Sequence, residues 1–188
     1  MFIAMSGISA SGKNTVMQKL IERRPNAKVL QRSSCTTRPP RESDGDFQTY
    51  LYLTKEEFER GIAEGRFIEY ELVHDNYYGT VKAAFEEVVA HPENDYIRDI
   101  DVKGTDNIKK YLAGKAKVVT IFLDAPDDVL AERLRARGES PEKIALRLSR
   151  GGLERSYKDK YDLVIENIDL NTTLQIINDF IDKRRRSK

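Results

Sequence analysis

A glycine-rich segment near the N-terminus restricts the fold of this chain more than any other part of it. Residues 7–15 read Gly-Ile-Ser-Ala-Ser-Gly-Lys-Asn-Thr, so one glycine is followed by four residues and then by Gly-Lys. This is the spacing of a phosphate-binding loop. An apolar run at 2–5 precedes the loop, and a helical pattern over 13–24 follows it. A buried strand that turns through such a loop into a helix favours an α/β layer fold.

The chemistry of this loop predicts that it binds the phosphates of ATP. Glycines allow backbone N–H groups to turn onto phosphate oxygens, and the start of the helix adds positive potential. Lys13 would reach the β- and γ-phosphates. A glycine-rich turn without a ligand is the competing interpretation. The predicted ATP-binding residues of the loop are Gly7, Ser9, Ala10, Ser11, Gly12, Lys13, Asn14 and Thr15.

One position departs from the usual loop, in which a Ser or Thr hydroxyl follows the lysine and binds Mg²⁺. Here Asn14 follows the lysine, and the hydroxyl comes one residue later at Thr15. We expect Mg²⁺ as the cofactor, held mainly through phosphates and water, with Asn14 and Asp101 as candidate protein contacts. Asp101 is a candidate because it follows a predicted core strand, where a carboxylate can hold metal-bound water or the substrate.

Short apolar runs alternate with helical patterns along most of the chain. The runs lie at 2–5, 29–30, 96–97 with Ile100, 118–123 and 163–165. The helical patterns cover 13–24, 82–91, 104–112, 127–137, 141–155 and 171–184. The alternation predicts an α/β fold with a five-stranded parallel sheet and right-handed crossovers.

Two segments interrupt this alternation. Residues 34–80 are rich in Arg, Tyr, Glu and Gly, and their pattern predicts several short strands and a helix near 54–64. Residues 133–152 carry many arginines around a break at Gly138. Because no Pro, Gly or Ser linker separates these segments from the rest, we predict one domain in which both are excursions over a ligand.

The formal charges nearly cancel, with 32 Lys and Arg against 31 Asp and Glu. This balance gives no reason to expect nucleic acid or an anionic membrane as a partner. No apolar run approaches the roughly 20 residues of a membrane span. Cys35 is the single cysteine, which excludes an intrachain disulfide and fits a reducing compartment. We therefore predict a cytoplasmic protein, and interpret the basic residues 183–188 as a solvated helix end rather than a targeting or RNA-binding patch.

Several residues suit an acceptor that carries its own phosphate. Arg38 and Arg41 lie on either side of two prolines, and a planar guanidinium binds phosphate in a bidentate manner. Tyr50 and Tyr78 add hydroxyl donors, and the Glu69 carboxylate can accept two N–H bonds from one edge of guanine. Each residue type also has a plainer interpretation: a solvated loop pair for the arginines, packing for the tyrosines and a surface charge for the glutamate.

Taken together, these motifs resemble the guanylate kinase family. The likeness is collinear from Met5 to about Asn167, and it rests on several ordered segments rather than on the loop alone. The segments are 33–41, 57–58, 65–70, 76–80, 99–104, 133–148 and 161–167.

The resemblance implies a P-loop NTPase three-layer fold in three parts, and a reaction in which ATP phosphorylates GMP to GDP. The ATP-binding core would comprise 1–33, 81–132 and 153–188. A small mixed α/β region at 34–80 would bind GMP, and a helical lid at 133–152 would close over the site.

Residue roles follow from the same resemblance, by matching position. The guanine base would contact Ser34, Glu69, Thr80 and Asp101, with Asp99 close by. The GMP phosphate would be held by Arg38, Arg41, Tyr50 and Tyr78, and adenine would lie near Asn167. The catalytic cations would be Lys13, Arg133, Arg137 and Arg147. Arg133 and Arg137 are four residues apart and are expected to share a helix face, which suits a common ligand and also plain exposure to solvent.

Three features depart from the family pattern. Residues 42–49 differ from the usual glycine- and acid-bearing loop, and Arg98 places a charge on the third core strand. Gly151 and Gly152 lie in a predicted lid helix. Because glycine costs roughly 1 kcal/mol relative to alanine in a helix interior, the pair predicts a break or hinge there.

Two other functions stay open at this stage. A kinase on the same scaffold could act on dGMP, another monophosphate or a phosphorylated sugar. A catalytically inactive member of the family could bind protein partners, although such modules have eroded phosphate loops and this chain keeps Gly7, Gly12 and Lys13.

Overall fold

The computed structural model describes residues 1–40 and 50–187, and within them it contains nine strands and seven α-helices. The strands are β1 (Phe2–Gly7), β2 (Ala27–Val29), β3 (Ser34–Thr36), β4 (Tyr50–Tyr52), β5 (Phe67–Val73), β6 (Asn76–Val81), β7 (Asp95–Asp99), β8 (Val118–Asp124) and β9 (Leu163–Glu166). The helices are α1 (Lys13–Arg23), α2 (Lys55–Ala63), α3 (Lys82–Ala90), α4 (Val102–Leu112), α5 (Asp127–Ala136), α6 (Pro141–Arg155) and α7 (Leu170–Arg186).

Five parallel strands form the core sheet in the order β2-β7-β1-β8-β9. The central strand β1 is covered on both faces, and its first four residues, Phe2, Ile3, Ala4 and Met5, are apolar and fully buried. This arrangement confirms the five-stranded parallel core expected from the apolar runs.

Helices cover both faces of this sheet, which gives the three-layer fold. Alternate residues of a strand face opposite sides, and β1 shows this directly. Ile3 and Met5 pack with residues of α1 and α7, whereas Phe2 and Ala4 pack with residues of α3 and α4. A third cluster joins the loop residue Ile8 to α5 and to α6.

A second, mixed sheet is formed by the excursion after β2, in the order β4-β3-β6-β5. Strand β3 pairs with β4 in parallel and with β6 in antiparallel orientation. Helix α2 packs on this sheet through Phe58, whose ring stacks on Phe67 at 4.4 Å and on Tyr77 at 4.9 Å between centroids. Thr54 and Glu57 form a capping box at the start of α2. The predicted short strands and the helix near 54–64 are therefore confirmed.

Helix α6 is continuous through Gly151 and Gly152, so the predicted break is wrong. The helix is supported at its start by the Ser140 side chain, which caps the N–H of Lys143, and by Pro141 in its first turn. Gly151 is buried against the loop residue Ile8. Capping and packing of this kind offset the intrinsic cost of two glycines.

The predicted boundaries of the lid, 132/133 and 152/153, fall inside α5 and α6 respectively. The division of the chain into core, GMP-binding region and lid stays a prediction. Across 1–40 and 50–187, no helix combines the length and the apolar character that crossing a bilayer requires.

Candidate active site

The loop between β1 and α1 follows a path that only glycine permits at two points. Gly7 has φ +144°, and a Cβ atom built there would lie 1.9 Å from the carbonyl oxygen of Leu123 on the neighbouring strand. Gly12 has φ +95° and precedes the first residue of α1. Ala10 also has a positive φ of 67°, a backbone conformation that is strained for a residue with a Cβ.

The first turn of α1 opens onto this loop. Within the part of the chain that the structure describes, no side chain caps the start of the helix, and its first turn carries no acidic residue. Lys13 donates through Nζ to the carbonyl oxygens of Gly7, at 2.7 Å, and Ile8, at 3.2 Å. Asn14 and Thr15 are exposed in the same turn. Uncapped N–H groups beside an ammonium make this end of the helix suitable for an anion.

Asn167, which follows β9, is brought to the same loop. Its Nδ2 donates to the carbonyl oxygen of Ser11 at 2.8 Å, and its backbone N–H donates to the carbonyl oxygen of Asp124 at 2.8 Å. Among the described residues, no partner is found for its buried Oδ1. Asn167 therefore keeps one acceptor that a bound group could use.

Arg133, on α5, is also hydrogen-bonded to the main chain around the loop. Its guanidinium donates to the carbonyl oxygen of Asn167 at 2.7 Å and to that of Ala10 at 3.3 Å. Arg147, on α6, donates to Ser9 Oγ at 3.1 Å and to the carboxylate of Glu139 at 2.6 Å. Both predicted arginines thus contact the loop from the helices that cover it.

Arg137 is arranged differently, because it lies at the C-terminal end of α5 rather than within it. That it shares a helix face with Arg133 stays a prediction. Helix α5 ends at Ala136, so Arg137 lies just beyond it and is exposed. The helix stops because Gly138 takes a left-handed conformation, with φ +77°, and the N–H of Glu139 returns to the carbonyl of Leu134.

A cavity of about 310 Å³ lies between the loop and the second sheet. Gly7, Lys13 and Asn14 line it on the loop side. On the opposite side it is lined by residues predicted to hold the acceptor, namely Ser34, Tyr50, Glu69, Thr80, Asp99 and Asp101. The structure therefore places these predicted donor and acceptor residues around one space, whereas Arg38, Tyr78 and Asn167 are not among the residues that line it.

Glu69, on β5, is held inside this cavity by two hydrogen bonds. Thr80 Oγ1 donates to one carboxylate oxygen at 3.2 Å, and Asn107 Nδ2 donates to the other. A Cβ atom on Gly104 would approach the same carboxylate within 2.7 Å. Glu69 is thus a half-buried, oriented acceptor rather than a surface charge. Sequence reasoning missed Asn107, although its position three residues after Gly104 puts both on one side of α4.

Asp99 and Asp101 lie where β7 ends. Asp101 Oδ1 caps α4 by accepting from the N–H groups of Lys103, at 2.9 Å, and Gly104, at 2.8 Å. This cap starts the helix at Val102, two residues before the predicted start. Burial raises the pKa of the Asp99 carboxyl, and the nearby Lys13 ammonium acts in the opposite direction.

The residues predicted for the acceptor phosphate are only partly described. Arg38 is buried, donates to the carbonyl oxygen of Pro39 at 2.8 Å, and lies 5.7 Å from the centre of the Tyr50 ring. Tyr78 is half-buried on β6, opposite Thr36. Arg41 and the divergent segment 42–49 lie outside the described residues.

Two charged groups near the site were not predicted to act there. Arg98 is buried and lines the cavity. Asp124, at the end of β8, accepts two hydrogen bonds from Arg155 of α6, at 2.9 and 3.1 Å, and pairs with Lys158 at 2.6 Å. The rule that singled out Asp101, a carboxylate directly after an apolar run, applies equally to Asp124.

Comparisons with known proteins agree with this geometry. The guanylate kinase family model matches residues 2–184. The chain is 38% identical to the guanylate kinase of Chlorobium luteolum over 177 residues, which is 93% of this chain and 87% of the relative. It is also 38% identical to that of Bacteroides fragilis over 186 residues, with 95% and 89% coverage.

Among solved structures, the guanylate kinase of Anaplasma phagocytophilum matches with a TM-score of 0.71 at 26% identity, covering 100% of this chain and 87% of that one. An uncharacterized protein from Eubacterium ventriosum, at 14% identity and a TM-score of 0.53, shares the fold alone. The extent of the family match and the identity to these relatives show that the chain belongs to the guanylate kinase family.

Proposed function

We propose that this protein is a kinase that transfers the γ-phosphoryl group of ATP to GMP, giving ADP and GDP. The observation that carries the proposal is the shared cavity, which has a phosphate-binding loop on one side and an oriented carboxylate, Glu69, on the other. Relatives of this chain are named guanylate kinases. The intact loop glycines and Lys13 favour a catalyst over an inactive binding module.

At the donor end, we assign ATP to the loop and to the start of α1. The N–H groups of residues 7–15 and the Lys13 ammonium bind the phosphates, because main-chain donors and a helix N-terminus both favour anions. Lys13 exchanges its two carbonyl partners for phosphate oxygens. The buried Oδ1 of Asn167, which has no partner among the described residues, can accept a hydrogen bond where adenine binds.

At the acceptor end, we assign guanine to Ser34, Glu69 and Thr80. A carboxylate accepts hydrogen bonds from the N1–H and N2–H groups of guanine, which adenine does not present, and a wrong base leaves a buried carboxylate unpaired. Asp99 and Asp101 border the same space. The GMP phosphate is assigned to Arg38, Arg41, Tyr50 and Tyr78.

Phosphoryl transfer requires that donor and acceptor be held in line and that their charge be neutralised. A phosphate oxygen of GMP is already an anion, so the reaction needs no general base. Arg147 and Arg133 contact the loop from α6 and α5, and we assign them, with Arg137, to the charge of the transferred group. Closure of the segments 34–80 and 133–152 would exclude water and prevent hydrolysis of ATP.

We assign Mg²⁺ as a companion of ATP rather than as a resident ion. Over the described residues there is no group of three or more His, Cys, Asp or Glu side chains that could hold a metal. Mg²⁺ is commonly bound by substrate phosphates and water with only one or two protein ligands. The residues that border the cavity and suit that role are Asn14, Asp99 and Asp101. One carboxylate oxygen of Asp101 is already used to cap α4, which leaves the other for a metal-bound water. The ion would neutralise phosphate charge.

The cytoplasmic location of the protein stays a prediction.

An acceptor panel tests the assignment. ADP release is measured with ATP and Mg²⁺ against GMP, dGMP, AMP, UMP, CMP and a phosphorylated sugar. We expect the highest kcat/KM with GMP and the lowest with the pyrimidine nucleotides and the sugar. A higher value with AMP, a pyrimidine nucleotide or the sugar would assign the protein to another acceptor. ATP binding in calorimetry without turnover on any acceptor would identify a non-catalytic binding module.

A further inference from the structure

Arg98 is a buried arginine on the core strand β7, where the neighbouring residues Tyr96 and Ile97 are apolar and fully enclosed. Its side chain is 4% exposed and lines the cavity between the loop and the second sheet. A buried arginine is uncommon in proteins. Its position in the cavity wall puts Arg98 beside the space in which the acceptor is proposed to bind.

We propose that Arg98 is a specificity residue that donates two hydrogen bonds to the O6 and N7 atoms of guanine in the bound acceptor. The proposal rests on the assignment of GMP as the acceptor and adds a base contact to it.

Contacts place Arg98 at the base-binding end of the cavity. Its Nη2 donates to Ser34 Oγ at 3.4 Å. Ser34 lies opposite Thr80 in the pairing of β3 with β6. Thr80 Oγ1 in turn donates to Glu69 at 3.2 Å. Arg98, Ser34, Thr80 and Glu69 therefore form one connected set of donors and acceptors.

The chemistry of guanine requires both kinds of group. The N1–H and N2–H groups on one edge of guanine donate hydrogen bonds, and the Glu69 carboxylate can accept them. The O6 and N7 atoms on the other edge only accept hydrogen bonds, so the protein must supply donors there. Thr80 directs its hydroxyl proton at Glu69. A guanidinium matches O6 and N7 in a bidentate manner, and adenine presents a donor in place of O6. A carboxylate and a guanidinium around one cavity therefore fit guanine and disfavour adenine.

The surroundings suit a neutral base edge. Burial lowers the pKa of Arg98, while the Asp99 carboxylate and the Tyr50 hydroxyl favour its charged form. An arginine remains charged in such surroundings because its ordinary pKa lies far above neutral pH. A desolvated, charged donor forms stronger hydrogen bonds than one in water.

The contact between Arg98 and guanine is tested by measuring two acceptors with two forms of the protein. Affinity and KM are measured for GMP and for 7-deaza-GMP, in which a C–H group replaces N7, with the wild-type protein and with Arg98→Met. We expect the wild-type protein to bind GMP about tenfold more tightly than 7-deaza-GMP, because the analogue leaves a buried N–H unpaired. Arg98→Met should weaken GMP binding about 10- to 100-fold and abolish the preference for GMP over 7-deaza-GMP.

Arg60→Met is the matched control, because Arg60 is an exposed arginine on α2; it should keep the wild-type preference. If Arg98→Met weakens both acceptors by the same factor, Arg98 contacts the phosphate or only supports the fold, and the proposal is overturned. Unchanged binding overturns it as well.

Thermal melting without ligand identifies a variant that does not fold. In that event Arg98→Lys replaces it, which keeps the charge but lacks the planar fork and should reduce the preference for GMP. An Arg98→Lys variant that prefers GMP over 7-deaza-GMP as strongly as the wild-type protein does would contradict the proposal. Failure of the GMP assignment is distinguishable, because the wild-type protein itself would then neither bind nor turn over GMP.

Discussion

Arg147 is the side chain for which the assignment to catalysis is most directly testable. Its contact with Ser9 holds the guanidinium at the phosphate-binding loop, where charge on the transferred group would develop. We expect Arg147→Ala to lower kcat roughly a hundredfold or more, since removing one preorganised donor from a developing charge has an effect of that order. ATP affinity, measured by calorimetry, should remain within about threefold, because the loop amides and Lys13 are retained.

Arg135→Ala provides the comparison, because Arg135 is an exposed arginine on α5 and lies two residues from Arg133, on another side of the helix. Its kcat should match the wild-type value. Equal turnover of the Arg147 and Arg135 variants would remove Arg147 from the mechanism.

Cys35 gives a second prediction at this scale, from its pKa. Burial on β3 raises the pKa of the thiol to about 12, and a backbone hydrogen bond at Gly79 acts weakly against this. The thiolate is the reactive form, and at pH 8 it would be about one part in ten thousand. We expect iodoacetamide to modify Cys35 at pH 8 only after denaturation, as measured by mass spectrometry. Rapid alkylation of the native protein would show that the second sheet opens readily.

Individual residues differ in how far their positions follow from sequence. Lys13 could be assigned from spacing because a short loop fixes where it lies relative to the helix. Glu69 could not, because its burial depends on Thr80 and Asn107, which approach from another strand and another helix. Such long-range contacts leave no local periodicity, so the residue type left Glu69 open between a guanine acceptor and a surface charge, and the resemblance to a family favoured the first.

At the scale of elements, helix α6 allows a test of how much an exposed glycine lowers the stability of a helix. Gly152 is exposed, and a Cβ atom built there has no neighbour within 4 Å. Gly152→Ala should therefore raise the free energy of unfolding by about 1 kcal/mol and Tm by roughly 2–4 °C, because alanine favours the helix already present. Urea denaturation and thermal melting measure both.

Gly12→Ala provides the contrast for this prediction. A Cβ atom there would lie 2.5 Å from Asn167 Nδ2, and the backbone has φ +95°. This variant should be destabilised and should bind ATP more weakly. A Gly152→Ala variant less stable than the wild-type protein would indicate that the helix bends at this glycine pair in solution.

The main elements follow from the sequence more closely than their arrangement does. The apolar runs and helical patterns locate the core strands and helices within about two residues, because amphipathic periodicity is a local property. Two helix ends differ from the prediction because single residues begin or end a helix independently of its periodicity. Asp101 caps α4 earlier than the pattern indicates, and Gly138 ends α5 before Arg137. The pairing of β3 with both β4 and β6 follows from no local pattern, because parallel and antiparallel partners lie far apart in the chain.

At the scale of the whole molecule, Asp124 joins helix α6 to the core sheet. Its carboxylate, at the end of β8, binds Arg155 at the end of α6 and Lys158 just beyond it. Burial alone would raise the pKa of Asp124, but the hydrogen bonds from Arg155, Lys158 and the N–H of Ala125 hold it below the ordinary value. This connection ties α6 to the sheet whose strand β1 leads into the phosphate-binding loop.

The sign of the pH dependence follows from that lowered pKa. A carboxyl whose pKa is lower in the folded than in the unfolded protein stabilises the fold above the unfolded pKa, which is about 3.9 for Asp, and loses this contribution as the pH falls through the folded pKa. Asp124→Asn should therefore cost about 1–3 kcal/mol of unfolding free energy near pH 7, since it removes the charged partner of Lys158 and one of the two carboxylates that pair with Arg155. Near pH 3 the difference from the wild-type protein should be smaller.

Urea denaturation at both pH values measures these differences, with Asp128→Asn as the control. Asp128 is an exposed carboxylate in the first turn of α5, so its substitution should cost only a few tenths of a kcal/mol at either pH. A cost for Asp124→Asn that is the same near pH 7 and pH 3 would mean that the charge of Asp124 contributes nothing. The attachment of α6 would then depend on its other contacts, such as the packing of Ile144 and Gly151 against the loop and the hydrogen bond from Arg147 to Ser9.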